Sequence, residues 1–361
     1  LSKSDLFAPL AFKRGPAMKN RFMLAPLTNQ QSHVDGRLSD EEFHWLTLRA
    51  KGGFGLTMTC AAHVQVIGQG FAGQLGIFSD SHLEGLTRLA SAIKAEDSLA
   101  VVQLHHAGMR SPKDLIGEAP VCPSENAEFS ARALSTTEVE QLIEDFIAGA
   151  ERAEKAGFDG VELHGAHGYI LCQFLSSEIN QRSDRFGGAL ENRASVIMEI
   201  IAGIRARCRA DFNLGLRLSP ERFGLQLAEI LELTQTLMTA GDLDYIDLSL
   251  WDVNKLPEDE AFKSRSLMAW FMDLDRGHVR VGVAGKVLSA QSARDCLEKG
   301  ADFVLIGRGA ILHHDYPKQS EANPDFTPLA LPVTEAHLLN EGLSPAFVTY
   351  MRNWKGFVAE V

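Results

Sequence analysis

Short, β-rich apolar runs recur along the chain at Phe22–Pro26, Gly55–Thr59, Ala100–Leu104, Gly160–His164, Leu214–Leu218, Tyr245–Ser249, Val279–Val283 and Phe303–Ile306. Their lengths and the turn residues that bound them predict strands. Between them the apolar positions switch to helical spacing over Glu42–Ala50, Leu83–Ala95, Thr137–Ala156, Glu191–Arg207, Ala228–Ala240 and Ala290–Lys299. Several of these stretches run into glycine, as at Ala156-Gly157, Ala240-Gly241 and Lys299-Gly300. A left-handed residue closes a helix at least cost there.

Strands alternating with helices imply parallel pairing through right-handed crossovers. Eight such units close into a (β/α)8 TIM barrel of the α/β class. An open, doubly wound sheet is the weaker reading, because no G-x-G-x-x-G turn follows the first strand. One domain is expected over 1–361, with an irregular, proline-containing tail from about Tyr316 draped over the barrel.

Composition fills in the class. With 45% hydrophobic and 23% charged residues, the chain can build one large core. A net charge of -12 argues against nucleic acid or an anionic membrane as partner. No apolar run reaches the roughly 18 residues of a membrane span, and the opening LSKSDLFAPLAFKRG is too polar for a signal peptide. Cys60, Cys122, Cys172, Cys208 and Cys296 are widely spaced without a C-x-x-C pair. That fits reduced thiols in a cytoplasmic protein and excludes a local iron–sulfur motif.

Barrel chemistry sits where strands end and βα loops begin. After the first strand comes Ala25-Pro26-Leu27-Thr28, where Pro26 forfeits no central ladder bond and Thr28 could cap a turn or meet a ligand. Gln103, near the end of the third, must satisfy its amide as a structural bridge or a ligand contact. The densest constellation is Gly160-Val161-Glu162-Leu163-His164-Gly165-Ala166-His167-Gly168-Tyr169. Its glycines allow backbone to approach a ligand closely. Two readings compete there. As H-x-x-H, the histidines could ligate a metal with Glu162, His105 or His106. As neutral donors they could hold a carbonyl oxygen, with Tyr169 supplying a proton. Arg217 ends the fifth strand, where a guanidinium calls for an anion or an electron-rich ring. Gly285 after strand seven, and Gly307 and Arg308 after strand eight, suit a phosphate cradle.

The run GVELHGAHGYILCQFLSSEINQRSDRFGG over Gly160–Gly188 closely resembles the signature of old yellow enzymes and related NADH:flavin oxidoreductases. The resemblance extends to Lys19-Asn20-Arg21, Ala25-Pro26-Leu27-Thr28, Val102-Gln103-Leu104, Arg217-Leu218-Ser219 and Gly307-Arg308. It implies FMN over the C-terminal mouth of the barrel, with NADPH or NADH as hydride donor and no metal. Pro26, Thr28 and Ala61 would line the flavin, and Gln103 would meet its pyrimidine edge. Arg217 would sit near N1 and O2, and Gly285, Gly307 and Arg308 would bind the phosphate. His164 and His167 would hold the substrate's carbonyl or nitro oxygen, and Tyr169 would donate a proton to the α-carbon. The implied activity is ping-pong reduction of an electron-poor alkene. A reductase whose acceptor is not an alkene is the alternative, and a metal-dependent barrel lyase or hydrolase the remote one.

Tyr350-Met351-Arg352-Asn353-Trp354 resembles the C-terminal motif of a bacterial subgroup in which an arginine enters the neighbouring subunit's site. This implies a homodimer or larger even homo-oligomer, with Arg352 as the substrate-binding finger. Members of that subgroup often carry Cys where this chain has Thr28.

Overall fold

The computed structural model describes residues 5–360. Its barrel strands are β1 (Phe22–Leu24), β2 (Leu56–His63), β3 (Leu99–His105), β4 (Gly160–Gly165), β5 (Asn213–Leu218), β6 (Tyr245–Ser249), β7 (Arg280–Ala284) and β8 (Phe303–Ile306). All pair in parallel with their neighbours, and β8 returns to β1, so the sheet is a closed barrel. The connecting helices are α1 (Asp40–Lys51), α2 (Leu83–Lys94), α3 (Thr136–Lys155), α4 (Ser195–Arg207), α5 (Leu227–Ala240), α6 (Leu267–Met272), α7 (Ala290–Glu298) and α8 (Arg308–Leu312). This is the TIM barrel that the alternation of periods predicts.

Local chemistry sets the helix ends. Ser39 accepts from the Glu42 N–H at the start of α1, whose first turn is acidic and last turn basic. Ser135 and Glu138 form a reciprocal capping box on α3.

Two apolar layers hold the barrel. The outer one lies between strands and helices and includes Phe22, Val161, Leu163, Leu216 and Phe146. The inner one fills the barrel with Met23, Met58, Val101, Tyr245, Phe303 and Leu305. Leu10, Phe12 and Met18 join it from the N-terminal segment, where Leu10 and Met18 pair antiparallel. The backbone carbonyls of Ala11 and Arg14 take hydrogen bonds from Arg280 and Asn213 at strand starts, so this segment plugs the N-terminal end. Chemistry is left the opposite end.

The structure corrects four expectations. β2 continues to His63 because a bulge between Met58 and Ala61 breaks its alternation without ending its pairing. Ala61 therefore lies inside the strand, not after it. The helical stretch from Glu191 divides into Leu190–Arg193 and α4, and the short α6 fills a gap where no helix was expected. The segment from Tyr316 is not irregular: helices cover Tyr316–Ala322, Glu335–Asn340 and Pro345–Met351. Pro317 and Pro345 occupy first turns, where a missing N–H costs nothing, so these prolines mark helix starts. A bridge from Val333 to Val358 ties the end of the chain down.

Candidate active site

Strand register builds the floor of the barrel mouth. It places Gln103 beside Glu162, His164 beside Arg217, and Arg217 beside Asp247. Gln103 Nε2 donates to Glu162 Oε1 at 2.8 Å. Arg217 Nε lies 3.1 Å from Asp247 Oδ2. That pair lacks hydrogen-bond alignment, and Arg217 Nε, both Asp247 oxygens, Glu162 Oε2 and the Tyr245 hydroxyl have no aligned partner. Burial, and then the charge of Asp247, pushes Glu162 well above the usual carboxylate range. Burial also raises Asp247, to about 6, against the pull of Arg217. Burial thus favours the protonated form of both acids, most strongly at Glu162, while Arg217 favours the Asp247 carboxylate that faces it.

Above it stand the rings that follow β4. The centroid of His164 is 5.1 Å from that of His167 and 5.0 Å from that of Tyr169. His105 completes the group at 4.5 Å from Tyr169. The Ala166 N–H donates to His164 Nδ1 at 3.3 Å, so the ring proton sits on Nε2, free to donate. His167 Nε2 is 2.6 Å from Ser249 Oγ. Burial first holds both histidines well below the usual imidazole value, reinforced by neighbouring rings and guanidinium groups at His164 and by guanidinium groups at His167. They are neutral donors at pH 7. The turn from His167 to Tyr169 requires Gly168: its φ is +72°, and a Cβ there would come within 2.9 Å of Phe223.

A cavity of about 450 Å³ runs from His167 and Arg217 to Gly285, Gly307 and Arg308, within the range of cofactor sites. At Gly285, φ is +142° and a Cβ would lie 2.7 Å from the Asp252 nitrogen, so the chain there must be bare backbone. Pro26, Thr28, Tyr350 and Trp354 line an adjoining cleft. Among the described residues, five of the eight non-glycine residues with left-handed φ, namely His167, Arg222, Phe223, Trp251 and Lys286, line the first cavity or a neighbouring cleft that opens past Tyr169. Such strain persists where surrounding structure over-determines it, as at functional sites.

Of the residues singled out in the sequence, Pro26, Thr28, His164, His167, Tyr169, Arg217, Gly285, Gly307 and Arg308 come together here. Gln103 is buried on Glu162, and Ala61 lies in β2 with its carbonyl held by Gln74; neither lines the clefts. Arg352 lines none of these clefts and pairs with Glu335 at 2.6 Å. Among the described residues, His313, His337 and Glu341 gather within metal-ligand reach; the H-x-x-H histidines do not. Sequence reasoning missed Asp247, Ser249 and Arg222. The first two had a signal, as polar residues at alternate positions of an otherwise apolar strand.

Residues 5–324 match the NADH:flavin oxidoreductase / NADH oxidase family. The chain is 38% identical over 321 residues to "Probable NADH-dependent flavin oxidoreductase YqiG" of Bacillus subtilis, covering 85% of each. It is 34% identical over 331 residues to an NADH:acrylate oxidoreductase of Vibrio harveyi, covering 86% of this chain but only 32% of that protein. The old yellow enzyme homologue of Zymomonas mobilis superposes with a TM-score of 0.80 at 25% identity, over 96% of this chain and 98% of the other. No helix among the described residues is long and apolar enough to cross a membrane.

Proposed function

The chain belongs to the NADH:flavin oxidoreductase / NADH oxidase family and is a flavin-dependent NAD(P)H oxidoreductase of the old yellow enzyme type, and we propose that it uses FMN to reduce the C=C bond of α,β-unsaturated carbonyl or nitro compounds. The residues present fit FMN. Arg217, with its Nε unaligned, faces one end of the long cavity, and the bare backbone of Gly285 and Gly307 with Arg308 lies at the other. Arg308, Gly285 and Gly307 would hold the phosphate, Arg217 the electron-rich N1 and O2 edge of the ring, and Pro26 and Thr28 its flank. When bound, FMN supplies the hydride relay between NAD(P)H and the alkene.

The arrangement of His164, His167 and Tyr169 carries this reading. His164 offers its Nε2–H to the carbonyl or nitro oxygen, and His167, held by Ser249, offers the second contact. Because both rings stay neutral, they polarise the acceptor by hydrogen bonding without protonating it. Tyr169, packed on His105 and His164, delivers the proton that the α-carbon needs. Outside its own site, Arg352 is proposed to enter the mouth of a neighbouring copy. Unchanged kinetics and flavin spectrum in Arg352→Ala would sink that assignment.

The test of the main reading is anaerobic. A yellow preparation should bleach with NAD(P)H and recover its colour with 2-cyclohexenone. Tyr169→Phe should leave bleaching largely intact and slow recovery by roughly a hundredfold or more. Bleaching without recovery by any enone or nitroalkene favours an acceptor that is not an alkene.

A further inference from the structure

We infer that Arg110 and Arg222 form a site for a carboxylate carried by the alkene substrate itself, in addition to the carbonyl held by the histidine pair. This rests on the ene-reductase reading above.

A second cavity of about 450 Å³ opens outward from His167 and Tyr169, and its charged walls are Arg110, Arg222, Lys255 and Glu221. Lys255 and Glu221 cancel each other at 2.6 Å. The arginines do not cancel. Arg222 comes no nearer than 4.0 Å to Glu258, which also lies 3.5 Å from Lys255. Arg110 donates to the His167 carbonyl and lies 4.5 Å over the Tyr169 ring, and neither partner is anionic. Both guanidinium charges reach the reacting group: after burial, Arg217, Arg110 and Arg222 are the influences that lower His167, and no acid opposes them.

The backbone holds Arg222 in place. Arg222, Phe223 and Gly224 take consecutive left-handed φ values of 69°, 54° and 74°. The guanidinium lies 5.5 Å from the Phe223 ring and 5.1 Å from Trp251. Aromatic walls around a guanidinium whose nearest acid is 4.0 Å away and shared with Lys255 favour a planar anion that accepts two hydrogen bonds. A flavin phosphate does not account for this pair, because Arg308 and the bare backbone serve that end of the other cavity. The chain as a whole carries -12, so the cationic lip is a local field that would draw anions inward.

The experiment compares a 2-cyclohexenone bearing a ring carboxylate with its methyl ester, on holoenzyme. The wild type should favour the carboxylate in kcat/KM, and only that preference should fade with added salt. Arg222→Gln should cut the carboxylate-to-ester ratio by roughly tenfold or more, and Arg222→Lys should restore part of it. A wild type indifferent to the carboxylate, or an unchanged ratio in Arg222→Gln, overturns the proposal. So does an Arg222→Gln effect confined to flavin reduction by NAD(P)H, which would assign the arginines to the dinucleotide phosphates. If neither compound nor unsubstituted cyclohexenone reoxidises the bleached enzyme, the ene-reductase reading itself fails.

Discussion

The floor and the lip of the barrel mouth handle charge in opposite ways. On the floor, Arg217 faces Asp247, and Glu162 and Gln103 close the set without exposure to water. Burial there makes an unpaired charge expensive, so the groups either pair or keep a proton. On the lip, Arg110 and Arg222 stay partly solvated and lack a close acid. Solvation removes the penalty, and the unspent charge remains available to a ligand. Strand register dictates the first arrangement; loop conformation with left-handed φ at Arg222 and Trp251 dictates the second.

The sharpest break of this contrast is on the floor. Asp247→Asn leaves Arg217 buried with no anion, and should cost about 3–5 kcal/mol in the flavin-free protein. FMN binding should recover part of the loss. Glu162→Gln keeps the shape of a carboxyl that burial already pushes towards its neutral form, so it should cost no more than about 1 kcal/mol. Urea unfolding of both variants checks this. Equal losses would mean that Glu162 and Asp247 share the charge.

Acid should act on the inner rings and spare the lip. His63 is lowered to about 4 and His106 to about 3, and burial also depresses His105, His164 and His167. Each is neutral when folded but takes a proton near pH 6.5 when unfolded. Their contribution is therefore present above pH 6.5 and lost as pH falls toward about 4. The expected slope approaches about 1.4 kcal/mol per pH unit for each histidine. Asp247, raised to about 6, works the other way, as do Glu162 and Glu42, which burial also raises, so three carboxyls oppose these five rings. Denaturant curves at pH 7 and pH 5 measure the net loss, and Arg222→Gln should follow the wild-type slope. A slope absent from both would show that these rings protonate freely in the folded state.

The floor was legible in the sequence to the extent that it lies on strands. Residues at strand ends, such as His164, Arg217 and Gly307, follow from counting alternating elements, because a barrel delivers them all to one rim. Gln103 shows the limit: its position was readable, but whether its amide faces ligand or Glu162 depends on a neighbouring strand. The lip was not legible. Arg222 lies in a loop whose φ values no periodicity reports, and the C-terminal helices begin at prolines that in isolation read as breaks.

The smallest expected effect belongs to Trp354, which separates packing from ligand contact on the lip. Its side chain is 47% exposed, yet it lines all three clefts at the mouth and meets Tyr350 edge-on at 4.8 Å. An indole so exposed contributes little to folding, so Trp354→Ala should shift stability by less than about 1 kcal/mol. What it would lose is a ring face against bound molecules, worth about 0.5–1.5 kcal/mol, or roughly a two- to tenfold rise in KM. Because that face meets substrate and transition state alike, kcat should hold while KM rises. If stability fell by more than about 2 kcal/mol instead, Trp354 would belong with the buried rings. The lip would then be held by packing, as the floor is.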